Sequence, residues 1–570
     1  MRIIDLDNLS ENENKRYNQV AIDTRHVFNN LVEKISYNHI NNINWIVSSL
    51  ASRNKYNSEL YYRCCKMNFI KEEFRNDNTI TEVRTNDRPL SKVLFNFLDK
   101  KIKVMCTESH YERVWRFFRP IRQFLIALFV FTNRFLSRKS PKRLNTKNEL
   151  ILIETFVLNN KEGDEGGISR NGEYKDRYYP GMLDCLNDDE KNSIYFLPTI
   201  IGYYFTYRVF SKIRRAKYNF IIHDDYLKFS DYLFVLMHPF KILKITFSNI
   251  YFLNFEISSL LNQENRRNCS DFISLLGLIN YRFTYRLKQL NYKLNLFVDW
   301  YENQVLDRGM IVGLHNNFPD TKIVGYQGYV ISKNLHLYSQ PNNSELQSRA
   351  VPDVVRVTGE GLKSNILEFC NKINVDTAPG FRFKNVWRNK KFSPNKKLFT
   401  ILIGLPIELD DCKMILGLFL NNDMIINNPN LKIFVKPHPT SKPENIKNLF
   451  PNKNLDKFEF VIGAFHDYLE QSNLVITNAS SVSLESVAKG VPVIIIAPQS
   501  GILQNPIPDD VDSKIWSICY NSNEILQKID EYKNSNFSNS SDFEKLGNNI
   551  RDKYFVPVTR ELVLKFLNLN

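Results

Sequence analysis

The stretch from 398 to 496 constrains this chain most. It carries five short apolar runs, at 398–404, 431–436, 458–462, 473–477 and 491–496, rich in Val, Ile, Leu and Phe. Each suits a strand in length, and the polar intervals between them suit helices. Strands that are apolar on both faces and alternate with helices form a parallel sheet covered on both sides. The same rhythm is looser upstream. Runs at 149–157, 294–298, 322–328 and 354–359 read as strands, the last two ending in Gly-rich turns. Residues 44–50 read as a buried strand followed by a helix over 59–69, and 101–105 as a further strand. The first 40 residues are polar and read as helical or loose, and the Asn/Ser-rich 533–541 as a surface loop. Pro379-Gly380 and Ser393-Pro394 mark 376–397 as a linker. Two domains are therefore expected, 1–395 and 396–570, the first carrying helical or basic insertions at about 113–143 and 200–290.

A chain of 570 residues suits two large domains. Its 76 Lys and Arg against 61 Asp and Glu leave a net charge of +15. That excess fits nucleic acid, an anionic membrane or a phosphorylated substrate, as well as plain Lys-rich solvated faces. No nucleic-acid recognition motif is present, so that partner is set aside. The eight cysteines are scattered, with no CxxC and no Cys/His set at zinc spacing. They read as reduced and buried, with a cytoplasmic location and no metal expected. The N-terminus lacks a signal-peptide layout, and no apolar run reaches the ~18 residues that cross a bilayer. Membrane contact is expected to be peripheral, and 113–143 is the segment for it. There Trp115, Phe117, Phe118 and the run 124–131 lie among nine bases, Arg113, Arg116, Arg119, Arg122, Arg134, Arg138, Lys139, Lys142 and Arg143, with no acid. Such a segment suits a membrane interface; a buried helix with a basic exposed end is the plainer alternative.

Two turns carry the chemistry. Lys436-Pro-His438-Pro ends one predicted strand, where the prolines stiffen the turn and two basic side chains suit a phosphate. Thr477-Asn-Ala-Ser480-Ser481 ends another and opens a helix through Glu485, with Ser480 or Ser481 as its cap and free N–H groups suited to an anion. Gly404 and Gln327 end two further strands and join the binding set with Asn478. His223-Asp-Asp225 reads as helix capping.

Together these turns resemble those of bacterial capsule and O-antigen glycosyltransferases, the Kdo-transferring and polysialic-acid-forming enzymes among them. Trp45-Ile-Val-Ser-Ser-Leu, Asp176-Arg-Tyr-Tyr-Pro-Gly, Glu302-Asn-Gln304, Gly325-Tyr-Gln327 and Pro352-Asp353 resemble the surface carbohydrate biosynthesis proteins of O-antigen clusters. The resemblance spans nearly the whole chain. One departure is Gly325-Tyr-Gln-Gly, where related proteins often carry a His after the Gln. The resemblance implies a GT-B fold, with two Rossmann-like domains whose parallel sheets face a central cleft. It also implies that His438 and the Ser pair hold the phosphate of a CMP-sugar. An acceptor hydroxyl needs a base, or a retaining reaction a nucleophile, so a carboxylate of the N-terminal domain is required. The candidates are Glu302, Glu154, Asp164, Glu165 and Asp176. No cofactor beyond the nucleotide-sugar is expected. The leading reading is transfer of Kdo or a nonulosonic acid to a lipid-linked or oligosaccharide acceptor. A CDP-glycerol-type phosphotransferase, a nucleotide-sugar epimerase and a non-catalytic nucleotide-binding scaffold remain open alternatives.

Overall fold

The computed structural model describes residues 2–141, 150–158, 166–169, 171–201, 206–388, 398–478, 480–538 and 540–569. Its strands are β1 (Arg2–Asp5), β2 (Ile80–Thr85), β3 (Lys103–Cys106), β4 (Leu150–Leu158), β5 (Ile194–Ile201), β6 (Tyr251–Phe252), β7 (Phe255–Glu256), β8 (Leu294–Trp300) and β9 (Lys322–Gln327). The chain continues with β10 (Val354–Val357), β11 (Val375–Thr377), β12 (Phe399–Gly404), β13 (Leu431–Lys436), β14 (Phe458–Phe460), β15 (Leu474–Thr477), β16 (Val493–Ile496) and β17 (Trp516–Cys519).

Two six-stranded sheets dominate, and every pairing described within them is parallel. The C-terminal one runs β14-β13-β12-β15-β16-β17. Counted from its own first strand this is the order 3-2-1-4-5-6, whose direction of winding reverses between β12 and β15. The N-terminal one runs β11-β10-β9-β8-β4-β5, and its reversal lies between β4 and β8. Ligands of such sheets bind outside the carboxyl ends of the strands at the reversal. The fold is α/β with two Rossmann-like domains of the GT-B kind. Ahead of them a small parallel sheet, β1-β2-β3, packs with the long helix Glu11–Ser36.

The apolar runs of the sequence became strands wherever both faces are covered: all six residues of β12 and all four of β15 and β16 are buried. The run 44–50 did not. Asn42 accepts the N–H of Asn44, and Ser48 accepts that of Ala51. Two caps so close together fold the run into two helical turns, Ile43–Ile46 and Ser49–Ser52, instead of the expected strand. The expected linker also holds structure, since β11 and the 3-10 segment Phe381–Trp387 lie within it. The last helix of the 200–290 insertion, Phe272–Gln289, meets the helix after β8, Val305–Asn317, at glycines: a Cβ on Gly309 would lie 1.9 Å from the Gly277 carbonyl oxygen.

The last helix, Arg560–Phe566, leaves the C-terminal unit. Val563, Phe566 and Leu567 are buried in the core over the N-terminal sheet, where the Phe566 ring meets those of Tyr326 and Phe381 at 5.3 and 5.4 Å. On the other side, Asn14 of the first helix donates to the Pro498 carbonyl (2.8 Å) and accepts from the Gly501 N–H (3.0 Å). The eight cysteines are free, six of them buried.

Candidate functional site

Both winding reversals carry polar side chains. In the N-terminal sheet, β8 ends at Trp300 and the chain turns through Tyr301-Glu302-Asn303-Gln304. The Trp300 indole N–H donates to Glu302 Oε1 (3.0 Å), and the Gln304 amide donates to Oε2 (2.5 Å). Asp307 Oδ2 accepts the backbone N–H groups of Glu302 and Gln304 at 3.0 and 2.9 Å. Asn303 takes a left-handed conformation, φ +56°. Its side chain donates to the Tyr338 carbonyl (2.7 Å) and to Glu345 (2.9 Å), which also pairs with Arg53 and Arg308. A non-glycine residue persists in that region when its surroundings over-determine it, so the Glu302 carboxylate is fixed from several sides. It remains half-buried. Burial raises its pKa, against the two donors that lower it.

Glu154 lies deeper, beside Asp299. Thr199 donates to its Oε1 (2.7 Å), and its carboxyl is hydrogen-bonded to that of Asp299. The side-chain oxygens of Glu154, Asp299 and Asp307 lie within 4.8 Å of one another, the one set among the described residues spaced to hold a metal ion. Burial, then the neighbouring carboxylates, push Asp299 and Asp307 well up, and burial pushes Glu154 to about 7. The group therefore holds protons at neutral pH. Asp176 is used locally: its Oδ1 accepts the N–H groups of Tyr178 and Tyr179 at 2.7 and 3.1 Å, folding the Arg-Tyr-Tyr-Pro turn. Burial raises it to about 6. Asp164 and Glu165 lie outside the described residues.

In the C-terminal sheet, Gly404 pairs with Lys436 in register, and the Thr477 hydroxyl donates to the Gly404 carbonyl (2.9 Å) across the reversal. A Cβ on Gly404 would meet the Phe465 ring at 3.4 Å. His438 Nδ1 accepts the Thr440 N–H at 3.3 Å and faces the Thr440 hydroxyl at 2.8 Å. Burial and then the bases Arg177, Lys436 and Arg382 push it down to about 4. The imidazole is thus neutral at pH 7, with its proton on Nε2, free to donate into the cleft. Burial also lowers the Lys436 ammonium. Asn478 donates to Asp411 (3.2 Å). The helix after the second turn is short, Val482–Val487. Ser481 stands at its cap position without capping it; the hydroxyl points to Glu485 Oε1 at 3.4 Å. Ser480 folds the turn, its N–H donating to the Asn478 carbonyl (2.9 Å). Glu485 Oε2 is bonded to His466 Nε2 at 2.8 Å. Gln327 belongs to the other sheet, 1% exposed at the end of β9, with its Nε2 unpartnered among the described residues.

The residue that joins the two ends was not singled out in the sequence. Arg382, in the 3-10 segment, feels Arg177, Glu485, Tyr178 and Glu302, and its guanidinium lies 5.8 Å from the Trp300 ring centroid. Burial first, and then Arg177, lower its pKa, and it makes no ion pair among the described residues. Arg177 and Arg382 are thus within electrostatic reach of His438, as Lys436 is, and Glu302 and Glu485 are within reach of Arg382. Lys55 stands nearby, held down to about 8 by burial although Asp411 and Glu408 face it. Arg177 sits in the Asp176–Gly181 turn that the resemblance singled out, which was the available signal; Arg382 lay in an expected linker, and Lys55 and His466 had none. The His223-Asp-Asp225 group does not cap a helix. Asp224 is paired with Arg134 (2.8 Å) and Asp225 with Arg214 (2.5 Å).

No family model matches this chain. No characterised protein matches its sequence either. Among solved structures it is similar to the S. aureus MnaA–UDP co-structure, with a TM-score of 0.41 and 11% identity over 74% of this chain and 98% of that one. It is also similar to the Neisseria meningitidis UDP-GlcNAc 2-epimerase bound to UDP-GlcNAc, at 0.39 and 13% over 74% and 100%. Acinetobacter baumannii MurG follows at 0.36 and 12% over 74% and 99%. Likenesses this distant add nothing to what the chain's own two sheets show.

Proposed function

We propose that the chain is a nucleotide-sugar-dependent glycosyltransferase of surface polysaccharide synthesis, O-antigen or capsule. The surroundings of Arg382 support this reading: a cation with no ion pair among the described residues that feels Glu302 at one winding reversal and His438 and Glu485 at the other. The acceptor hydroxyl loses its proton to Glu302 as its oxygen bonds to the anomeric carbon. The bond from that carbon to the phosphate oxygen breaks. The charge that grows on the leaving phosphate is met by Arg382, Arg177, Lys436 and the His438 Nε2–H, in a site that excludes much of the water. Four basic groups on one anion suffice for this charge balance. The donor is a CMP-activated Kdo or nonulosonic acid, by the resemblance of the two turns. The acceptor is a lipid-linked glycan at the cytoplasmic membrane face, reached through peripheral contact at 113–143.

A thermal-shift panel of CMP, CDP, UDP, GDP and dTDP tests the reading, because a ligand of the native state raises the midpoint. CMP is expected to raise it, and His438→Ala to abolish the rise while the protein stays folded. A panel in which no nucleotide shifts the midpoint refutes the proposal.

A further inference from the structure

The helix His110–Ser137 is amphipathic only in part. It has 28 residues, yet its fully buried ones, Ala127, Val130, Phe131, Arg134 and Ser137, all fall in its last eleven. Its remaining surface exposes Phe117 (73%), Leu125 (58%), Ile121 (52%) and Phe118 (49%) to solvent. A second, unconnected stretch does the same. The helices Phe229–Leu236 and His238–Ile242 expose Phe229 (59%), Leu233 (49%) and Phe240 (57%), with Met237 and Leu243 beside them. The two stripes meet where Phe135 packs edge-on against Phe229, with ring centroids 5.7 Å apart. Contiguous apolar surface of this extent marks an interaction site.

The charges identify the occupant. Arg113 and Arg122 are exposed on the long helix, Lys139 just past its end, and Lys244 beside the second stripe. The acids of the same elements are turned away from solvent or used locally. Asp224 is paired with Arg134, Asp225 with Arg214, and Asp231 with Arg282 and Arg286, while Glu112 closes the helix's own capping box. What remains is aromatic, aliphatic and basic, the chemistry of the boundary between acyl chains and anionic headgroups. No helix among the described residues is long and apolar enough to cross a membrane, so such a face lies on the bilayer.

We propose that 229–243 and the 110–137 helix form one two-part docking face for an anionic lipid bilayer. This rests on the reading of a lipid-linked acceptor and extends it to a second element that holds the cleft at a fixed attitude to the surface. One stripe leaves a protein free to roll about the helix axis; two stripes remove that freedom.

Flotation of the full chain with phosphatidylcholine vesicles, with and without phosphatidylglycerol, tests it. The wild type is expected to float with the anionic vesicles alone. Phe229→Ser/Leu233→Ser/Phe240→Ser is expected to lower the bound fraction at least about tenfold, as Phe117→Ser/Leu125→Ser does, because each exposed apolar side chain adds separately to interfacial binding. Arg113→Glu/Arg122→Glu is expected to abolish the preference for anionic vesicles. All these side chains are exposed, and an unchanged thermal midpoint shows that the variants fold. If the 229/233/240 variant floats like the wild type, the two-part face is wrong. It is equally wrong if the wild type ignores vesicles and instead forms a dimer that the same substitutions dissociate. The CMP-induced midpoint shift is read on the same variants. It is expected to be intact throughout, so loss of flotation and loss of nucleotide binding remain separate failures.

Discussion

Arg382→Met separates binding from stability. The guanidinium is held in a half-buried cleft wall over Trp300, facing Arg177, with no carboxylate close enough to pair among the described residues. In the free protein it is an incompletely compensated charge, and its desolvation is relieved only when an anion arrives. A hydrogen bond from a cation to phosphate contributes about 1.5–3 kcal/mol. Its loss weakens nucleotide binding roughly 10- to 150-fold. The free protein loses a cation–π contact of about 0.5–1 kcal/mol and is relieved of a desolvated charge, so the two nearly cancel. Its midpoint should move by no more than about 2–4 °C in either direction. Differential scanning fluorimetry with and without CMP reads both quantities on one sample. A free-state midpoint that drops well beyond that range, with the CMP-induced shift retained, would refute the account of Arg382 as a cation held for an anion.

Glu302→Gln is isosteric and keeps one of the two acceptor contacts to the turn, from Trp300 or from Gln304, so nucleotide affinity should hold while turnover in a glycan-extension assay falls about 10²- to 10⁴-fold; parallel loss of affinity and turnover would point to a structural role. Phe566→Ala removes a ring fully buried among Tyr179, Tyr326 and Phe381 and should cost about 3–5 kcal/mol, read as a lower urea midpoint with no change in slope. The buried histidines His223 and His238 are pushed down to about 3 and about 4 by burial, from 6.5 in the unfolded chain. The unfolded state therefore binds more protons as pH falls from about 6.5 to about 4, and stability drops with falling pH across that window. His336 and His438 are lowered to about 4 in the same way, so His223→Phe should remove roughly a quarter of this histidine-driven drop between pH 6.5 and 4.5, and an unchanged pH profile would show that the group titrates normally.

The C-terminal sheet was legible because its central strands are buried along their length and mostly apolar, as in β12, β15 and β16, whose residues are all buried. The positions of the two turns after Lys436 and Thr477 followed from strand ends alone. The turn at 44–50 misled because apolar content hid two capping side chains, Asn42 and Ser48, whose effect is local and cooperative. β2 and β17 were missed because each carries polar residues at half-buried positions. Arg382 was illegible for a different reason. It contributes through proximity to residues more than 50 positions away, Glu302 among them, and no periodicity marks it. The association of Glu154, Asp299 and Asp307 comes from the parallel pairing of β4 with β8, which sets Ile153 beside Val298 and so brings the two following acids together.

The helix that carries Phe566 back to the N-terminal sheet also imposes an order on synthesis. The ring meets Tyr179, 387 positions earlier in the chain (566 − 179), so that part of the first core stays open until residue 566 has been made. At the usual pace of translation that interval lasts roughly 20–80 s. During it the apolar surface around Tyr326 and Phe381 is exposed in the nascent protein, and the cleft wall that bears Arg382 has not yet been fixed. The N-terminal half is thus begun first and completed last, which makes chaperone demand the first property expected to suffer when this helix is altered.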